Sequence, residues 1–510
     1  MLKFLVIPIF AFLLLVNQAK AQCQLLDSLS IRYEMQMSVS DNQTPLWLNA
    51  NRYGLGSLSK TNGYVRVGLS NDSAIKHNNI WRLGYGIDLV GAYNYSSKVL
   101  VQQLYTDLTY RWFTLSLGSK QRDMEMKNQL LSSGAQTLGI NARPIPQVRI
   151  GIEDYKDLSF TKNWLAIKGQ IAYGYMTDGN WQDKFAADNS KWTNGTLYHS
   201  KAGYLRIGNE SKALSFELGL EMATIFGGTV HWIDGDGNPK IFKGGNGVSS
   251  FWNAFIPGGS DFQEEEQGYI NVEGDQLGSW VTRLTYRNQS FDVALYADHF
   301  FEDHSALYHL GYYGYGKDGD WQKRSRKLYL YPLKDGLIGS EFTFKNQDLV
   351  KNVVLEFINT RYQSGPIYHD HTATVPDQIA GQDNYYNHTY YPGWQYYGQV
   401  IGNPLYLSPI YNKDGAMEIK DNRFFAWHFG AMGNLSDYFK YRILATWQKG
   451  YGTYRNPYLE PKKNTSIMGE LEYDFAKKIK GLRVRVAYGL DKGSLIGNNN
   501  GLQIGMIYER

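Results

Sequence analysis

From residue 30 onward the chain alternates apolar and polar residues with a period of two. Ile31, Tyr33, Met35, Met37 and Val39 alternate with Arg32, Glu34, Gln36 and Ser38. Trp81, Leu83, Tyr85, Ile87 and Leu89 alternate with Arg82, Gly84, Gly86 and Asp88. Leu214, Phe216, Leu218, Leu220 and Met222 do the same against Ser215, Glu217 and Glu221. On an extended backbone the two sets face opposite sides of a sheet. The pattern predicts strands at 31–39, 63–70, 80–92, 98–110, 112–119, 147–153, 164–175, 201–209, 213–223, 279–288, 290–298, 337–345, 351–361, 421–433, 438–448, 466–475, 482–490 and 501–509. Most run about 8 to 13 residues, longer than the ~5–6 common in soluble sheets and near the ~9–11 that cross a bilayer.

The spacing of the connections separates a membrane barrel from a soluble sandwich. Numbered from the first strand, the even gaps are all short, such as Arg111 alone, Gln289 and 346–350. Most odd gaps are long: 40–62, 120–146, 176–200, 224–278, 299–336 and 362–420. Short turns at one end and long loops at the other are the signature of an outer-membrane barrel. The expected fold is therefore all-β: a single transmembrane antiparallel β-barrel of about eighteen strands with short periplasmic turns and long extracellular loops. An even strand number puts both ends of the barrel on the periplasmic side. No repeat, linker or low-complexity tract divides the chain, so residues 22–510 read as one domain.

Composition agrees. The 510 residues include 40 Tyr, 13 Trp and 53 Gly but only 14 Pro. That mix suits a barrel with aromatic belts or a sugar-binding surface. The net charge of +4 gives no reason to expect nucleic acid as a partner. Lys3, the apolar run Phe4–Val16 and the small-x-small site at Ala19-Lys20-Ala21 read as a secretory signal peptide over 1–21. The lone cysteine, Cys23, follows Gln22 rather than a small residue, so neither lipidation nor an internal disulfide is expected. Arg66, Arg82, Arg111 and Lys168 lie on polar strand faces and would make a lumen suited to an acidic polymer.

Several loop motifs carry a resemblance. They are Thr44-Pro-Leu-Trp-Leu-Asn-Ala-Asn-Arg-Tyr-Gly54, Asn141-Ala-Arg-Pro-Ile-Pro-Gln-Val-Arg149, and a set spread over the last long loop: Gln363-Ser-Gly-Pro366, Asp383-Asn-Tyr-Tyr-Asn-His388, Gly402-Asn-Pro-Leu405 and Ser408-Pro-Ile-Tyr-Asn-Lys-Asp-Gly415. Phe300-Phe-Glu-Asp303 and Lys334-Asp-Gly336 add to the set. In this order the motifs resemble the Wzi-type capsule assembly family of outer-membrane proteins, in its Bacteroides-like branch, across about residues 30–510. The resemblance implies an outer-membrane barrel of about eighteen strands that binds capsular polysaccharide and holds it at the cell surface. It carries no ligand-contacting residues onto this chain.

The loop aromatics are the candidate glycan-binding residues: Trp181, Trp192, Trp232, Trp252, Tyr385, Tyr386, Tyr390, Tyr391, Trp394 and Tyr396. An amphipathic ring beside amides such as Asn384 and Asn387 can cover a sugar face while the amides bind its hydroxyls. The alternative is that these rings pack the loops into a cap over the pore. For 385–397 the many tyrosine hydroxyls, hard to satisfy in a dry interior, favour the surface.

Other chemistry is thinly represented. His369-Asp370-His371 lacks a third ligand for a metal. Asp234-Gly-Asp-Gly-Asn238 begins like a calcium loop, but Gly245 stands where the bidentate Glu belongs. Glu264-Glu-Glu266 reads as a solvated charge run. No Gly-x-Ser-x-Gly element, usable cysteine or nucleotide-binding glycine loop is present. The expectation is a non-enzyme without cofactor or metal, located in the bacterial outer membrane, with surface polysaccharide and membrane lipid as partners. A channel for sugars or exported polymer is the main alternative, and a barrel-based hydrolase the third.

Overall fold

The computed structural model describes residues 29–77, 80–209, 211–256, 273–302, 335–363, 367–369, 379–380 and 383–510. The signal-peptide reading, Cys23, Asp370, His371 and Glu264–Glu266 lie outside them. Eighteen strands form the wall. They are β1 (Ser30–Ser40), β2 (Thr61–His77), β3 (Trp81–Tyr93), β4 (Val99–Tyr110), β5 (Phe113–Ser119) and β6 (Gln147–Asp157). Next come β7 (Leu165–Tyr175), β8 (Leu197–Ile207), β9 (Leu214–Phe226), β10 (Asp275–Arg287), β11 (Phe291–Glu302) and β12 (Gly336–Phe344). The last are β13 (Asn352–Asn359), β14 (Phe424–Asn434), β15 (Phe439–Gly452), β16 (Pro457–Asp474), β17 (Leu482–Gly493) and β18 (Asn499–Glu509).

Each strand pairs antiparallel with its chain neighbours, and β1 pairs with β18 from Arg32↔Glu509 to Ser40↔Gly501. The sheet is therefore closed and has no edge, the only way a sheet can satisfy all its backbone groups in lipid. The expected all-β, eighteen-stranded antiparallel barrel is the fold observed. Turns at one end are short, as between β4 and β5 or β10 and β11, and the long connections gather at the other. No described helix is long and apolar enough to cross a membrane; the strands are the elements with the length to do so.

Alternation sorts the wall into two surfaces. Val65, Leu104, Ile150, Leu295, Ile338, Leu355, Ile467 and Ile504 point outward and are exposed. Near the turn end this belt meets Trp81, Tyr110, Trp112 and Phe113, the position of an interfacial girdle. Inward, small and polar residues dominate. In four directly opposed pairs an aromatic ring packs against a glycine: Tyr105 on Gly86, Tyr204 on Gly219, Tyr296 on Gly339 and Phe301 on Gly278. A methyl on any of these glycines would overlap the ring, so the missing side chain makes room for a large one.

The lumen wall is charge-compensated rather than basic. Arg66 meets Asp88 and Glu34, Lys168 meets Glu125, Arg283 meets Glu341 and Arg442 meets Glu470. Arg82 and Arg111 stand exposed at the turn end of the barrel. The expected basic lumen is thus corrected: carboxylates from nearby strands, and for Lys168 from the 120–146 loop, neutralise these cations.

Candidate functional site

The 120–146 loop turns inward and crosses the barrel. The 120–146 connection leaves from β5, yet its Thr137 hydroxyl meets Ser279 on β10 at 2.8 Å and its Lys127 meets Asp298 on β11. Asn128 donates to Glu341 on β12, Ser132 and the Ser133 amide donate to Glu356 on β13, and the Leu131 carbonyl contacts His428 on β14 at 2.8 Å. From β5 to β14 is halfway round an eighteen-stranded wall, so this loop spans the lumen. The 41–60 connection adds a short buried helix, Leu46–Asn49. Its Leu46 amide is held by Asp491 and its Trp47 indole donates to Thr446 at 3.1 Å.

The described motif segments 44–54, 141–149 and 402–405 meet in this closure. The Tyr53 amide donates to Ile140, and the Gly54 amide to Asn141 at 2.9 Å. Asn141 donates to the Val400 carbonyl at 3.0 Å, and Asn403 donates to Gly134 at 3.0 Å. Gly54 has φ +72, and a Cβ there would collide with the Arg143 backbone. Only glycine takes that conformation at that approach without strain.

The ten candidate aromatics divide into two groups. Tyr385, Tyr386, Tyr391, Trp394 and Tyr396 are buried in the closure, Trp394 with no exposure at all. Their surface placement was expected because so many hydroxyls would go unsatisfied inside; the structure corrects this. Tyr385 donates to Asp335 at 3.2 Å, Tyr391 to the Gly227 carbonyl at 3.1 Å, and Tyr396 to the Thr177 carbonyl at 3.0 Å. Tyr386 donates to the Gln136 carbonyl. These acceptors come from distant segments and remove the desolvation cost. Trp181, Trp192, Trp232 and Tyr390 are half-buried, and Trp252 is 59% exposed. Trp192 stacks on His231 at 4.1 Å and Tyr390 on Phe242 at 4.3 Å. Both contacts lie about a small sheet of Trp192–Asn194, Thr229–Ile233 and Pro239–Lys243 that the alternation did not announce.

Trp181 lines a cavity. At the loop end a pocket of about 340 Å³ is bounded by Trp181, Phe185, Tyr397 and Tyr95, with Ser57, Asn94, Ser96, Gln399 and Arg143 between them. Trp181 stacks on Phe185 at 4.6 Å. Its backbone is set by Asp178, whose carboxylate accepts the Asn180 and Gln182 amides. A second cavity of about 670 Å³ is lined by Asp178, Asn180, Asn194, Lys243 and Asn246. Arg143 sits 3.9 Å over the Tyr397 ring and donates to the Ser96 hydroxyl. Burial pulls its guanidinium down to about 10, still charged at neutral pH. Arg143 stood in a quoted motif without a role; its place beside Trp181 and Tyr397 depends on three loops meeting, which no local pattern reveals.

Asp234 accepts the amides of Asp236 and Asn238 and pairs with Lys240, so its carboxylate caps its own turn. Among the described residues no group of three or more His, Cys, Asp or Glu is placed to hold a metal ion.

No protein-family model matches the chain, and no curated protein matches it. Among solved structures it is similar to Wzi of Escherichia coli, described as an outer-membrane protein involved in group 1 capsule assembly and a carbohydrate-binding β-barrel. The TM-score is 0.56 at 13% identity, covering 93% of this chain and 83% of that one. Acinetobacter baumannii OccAB4 matches with a TM-score of 0.46 at 8% identity, covering 95% and 98%. Pseudomonas aeruginosa OccD3 matches with 0.45 at 9% identity, covering 94% and 90%. At such identities the likeness is one of architecture: this chain has the fold of an outer-membrane β-barrel.

Proposed function

We propose that the chain is a non-enzymatic outer-membrane protein of the Wzi type, exported by its N-terminal signal, that binds surface polysaccharide on its loop side and supports attachment of capsule to the cell. The observation that carries this reading is the use made of the loops. The 120–146 loop crosses the lumen and the 383–423 segment packs it with buried tyrosines, and the outer side of that packing holds aromatic and amide-lined pockets at the loop end. Rings beside amides and hydroxyls are what a sugar face and its hydroxyls need. The described motif segments 44–54, 141–149 and 402–405, which resemble the Wzi-type family, meet in this closure, and Wzi itself is described as binding carbohydrate. A wide sugar channel would need the lumen that the 120–146 loop crosses.

The test compares cell-attached and released capsular polysaccharide in a deletion strain and its parent. The expected result is continued synthesis with polymer moved into the medium. Unchanged attachment overturns the reading, and conductance of the purified protein in a planar bilayer would then favour the channel.

A further inference from the structure

The loop-end pocket contains a cation that the wall's logic does not explain. Inside the barrel Arg66, Lys127, Lys168 and Arg283 each sit against a carboxylate. Arg143 does not. It is 8% exposed, it forms no ion pair among the described residues, and its Nε has no hydrogen-bond partner. Its neighbours are the Tyr397 face and the Ser96 hydroxyl, both of which line the pocket. No Asp or Glu lines that pocket. A buried guanidinium held by a ring and a neutral hydroxyl keeps donors free for an anion, and its planar fork matches a carboxylate.

Resting on the polysaccharide reading above, we propose that this pocket takes an anionic sugar residue of the polymer, with Arg143 binding the acidic group and Trp181 covering the ring face. Trp181 and Phe185 give the apolar wall, Asn94 a hydroxyl partner, and Arg143 the charge selection. The anion could be a carboxylate within the sugar or a phosphate attached to it.

The experiment measures binding of purified, detergent-solubilised full-length protein to polysaccharide extracted from the parent cells. The polymer is used native, after carbodiimide–borohydride reduction of its carboxyl groups, and after dephosphorylation with aqueous hydrogen fluoride. Loss of about tenfold or more in affinity on carboxyl reduction identifies a uronate-type ligand; the same loss on dephosphorylation identifies phosphate. Arg143→Gln is expected to bind native polymer as weakly as wild type binds the neutralised one, and Arg143→Lys to fall between them. Heat-modifiable electrophoretic migration checks that each variant keeps its barrel. Binding that survives both treatments, or Arg143→Gln indistinguishable from wild type, overturns the proposal. If binding survives both but falls with Trp181→Ala, the polysaccharide reading stands without the charge selection. Failure of the native polymer to bind at all counts against both.

Discussion

Lys127 Nζ lies 2.7 Å from Asp298 Oδ2, and both side chains are almost wholly out of solvent. One belongs to the loop leaving β5, the other to β11, so the pair ties the crossing segment to a distant part of the wall. Asp298 also accepts the Gln136 amide at 3.0 Å. Removing one member of a buried pair leaves an uncompensated charge and costs about 3–5 kcal/mol. Lys127→Met is therefore expected to loosen the crossing and give measurable conductance in a planar bilayer where wild type is nearly silent. Equal, low conductance from both would show that other contacts hold the crossing alone.

Glu356 offers a second anchor. One carboxylate oxygen accepts Ser132 and Tyr296, and the other accepts the Ser133 amide. Glu356→Gln turns one acceptor into a donor that faces a donor, at a cost of about 1–3 kcal/mol. Thermal unfolding in detergent should show a lower midpoint than wild type. An unchanged midpoint would mean the amide has found other partners.

Trp394 and Trp181 separate packing from binding. Trp394 is fully buried, and truncation to Ala is expected to cost about 3–5 kcal/mol of stability. Trp181 lines the loop-end pocket, so Trp181→Ala should weaken polysaccharide retention with a smaller shift in melting. The reverse pattern, measured on affinity resin and by thermal melting, would misplace the site.

Asp421 makes closure of the last long loop depend on pH. Burial pushes its carboxyl up to about 7, against about 3.9 for a solvated aspartate. Its Oδ1 accepts the Gly452 amide at 2.9 Å. The closed loop holds the proton more tightly than the open one. The stabilisation is full below about pH 4 and is lost as pH rises through about 7. Limited proteolysis within 383–423 should thus be faster at pH 8 than at pH 6, and Asp421→Asn should flatten the difference. A flat wild-type profile would refute the linkage.

The wall was legible because lipid and lumen impose opposite demands on successive residues. All eighteen strands were placed from that contrast, and the parity of short and long gaps set which end carries the loops. Boundaries slipped where the alternation weakens. β16 begins at Pro457 rather than near 466, because Glu460, Lys462 and Lys463 extend the strand beyond its apolar stretch. The interior of the closure was not legible. Tyr386 is buried because the Gln136 carbonyl, 250 residues away in sequence, receives its hydroxyl. Arg66 looked like a free lumen cation until register set Asp88 beside it.

The crossing loop also fixes an order of events. Leu131 and His428 touch across 297 positions of chain, and the loop's partners Ser279, Asp298, Glu341 and Glu356 lie on β10 to β13. None of these contacts can form until the second half of the barrel stands in the wall. Contacts so distant in sequence carry a large closure entropy and form late. The nascent barrel therefore passes through a stage in which its first strands are set but its interior is still flooded. Sealing against leakage arrives only as assembly finishes.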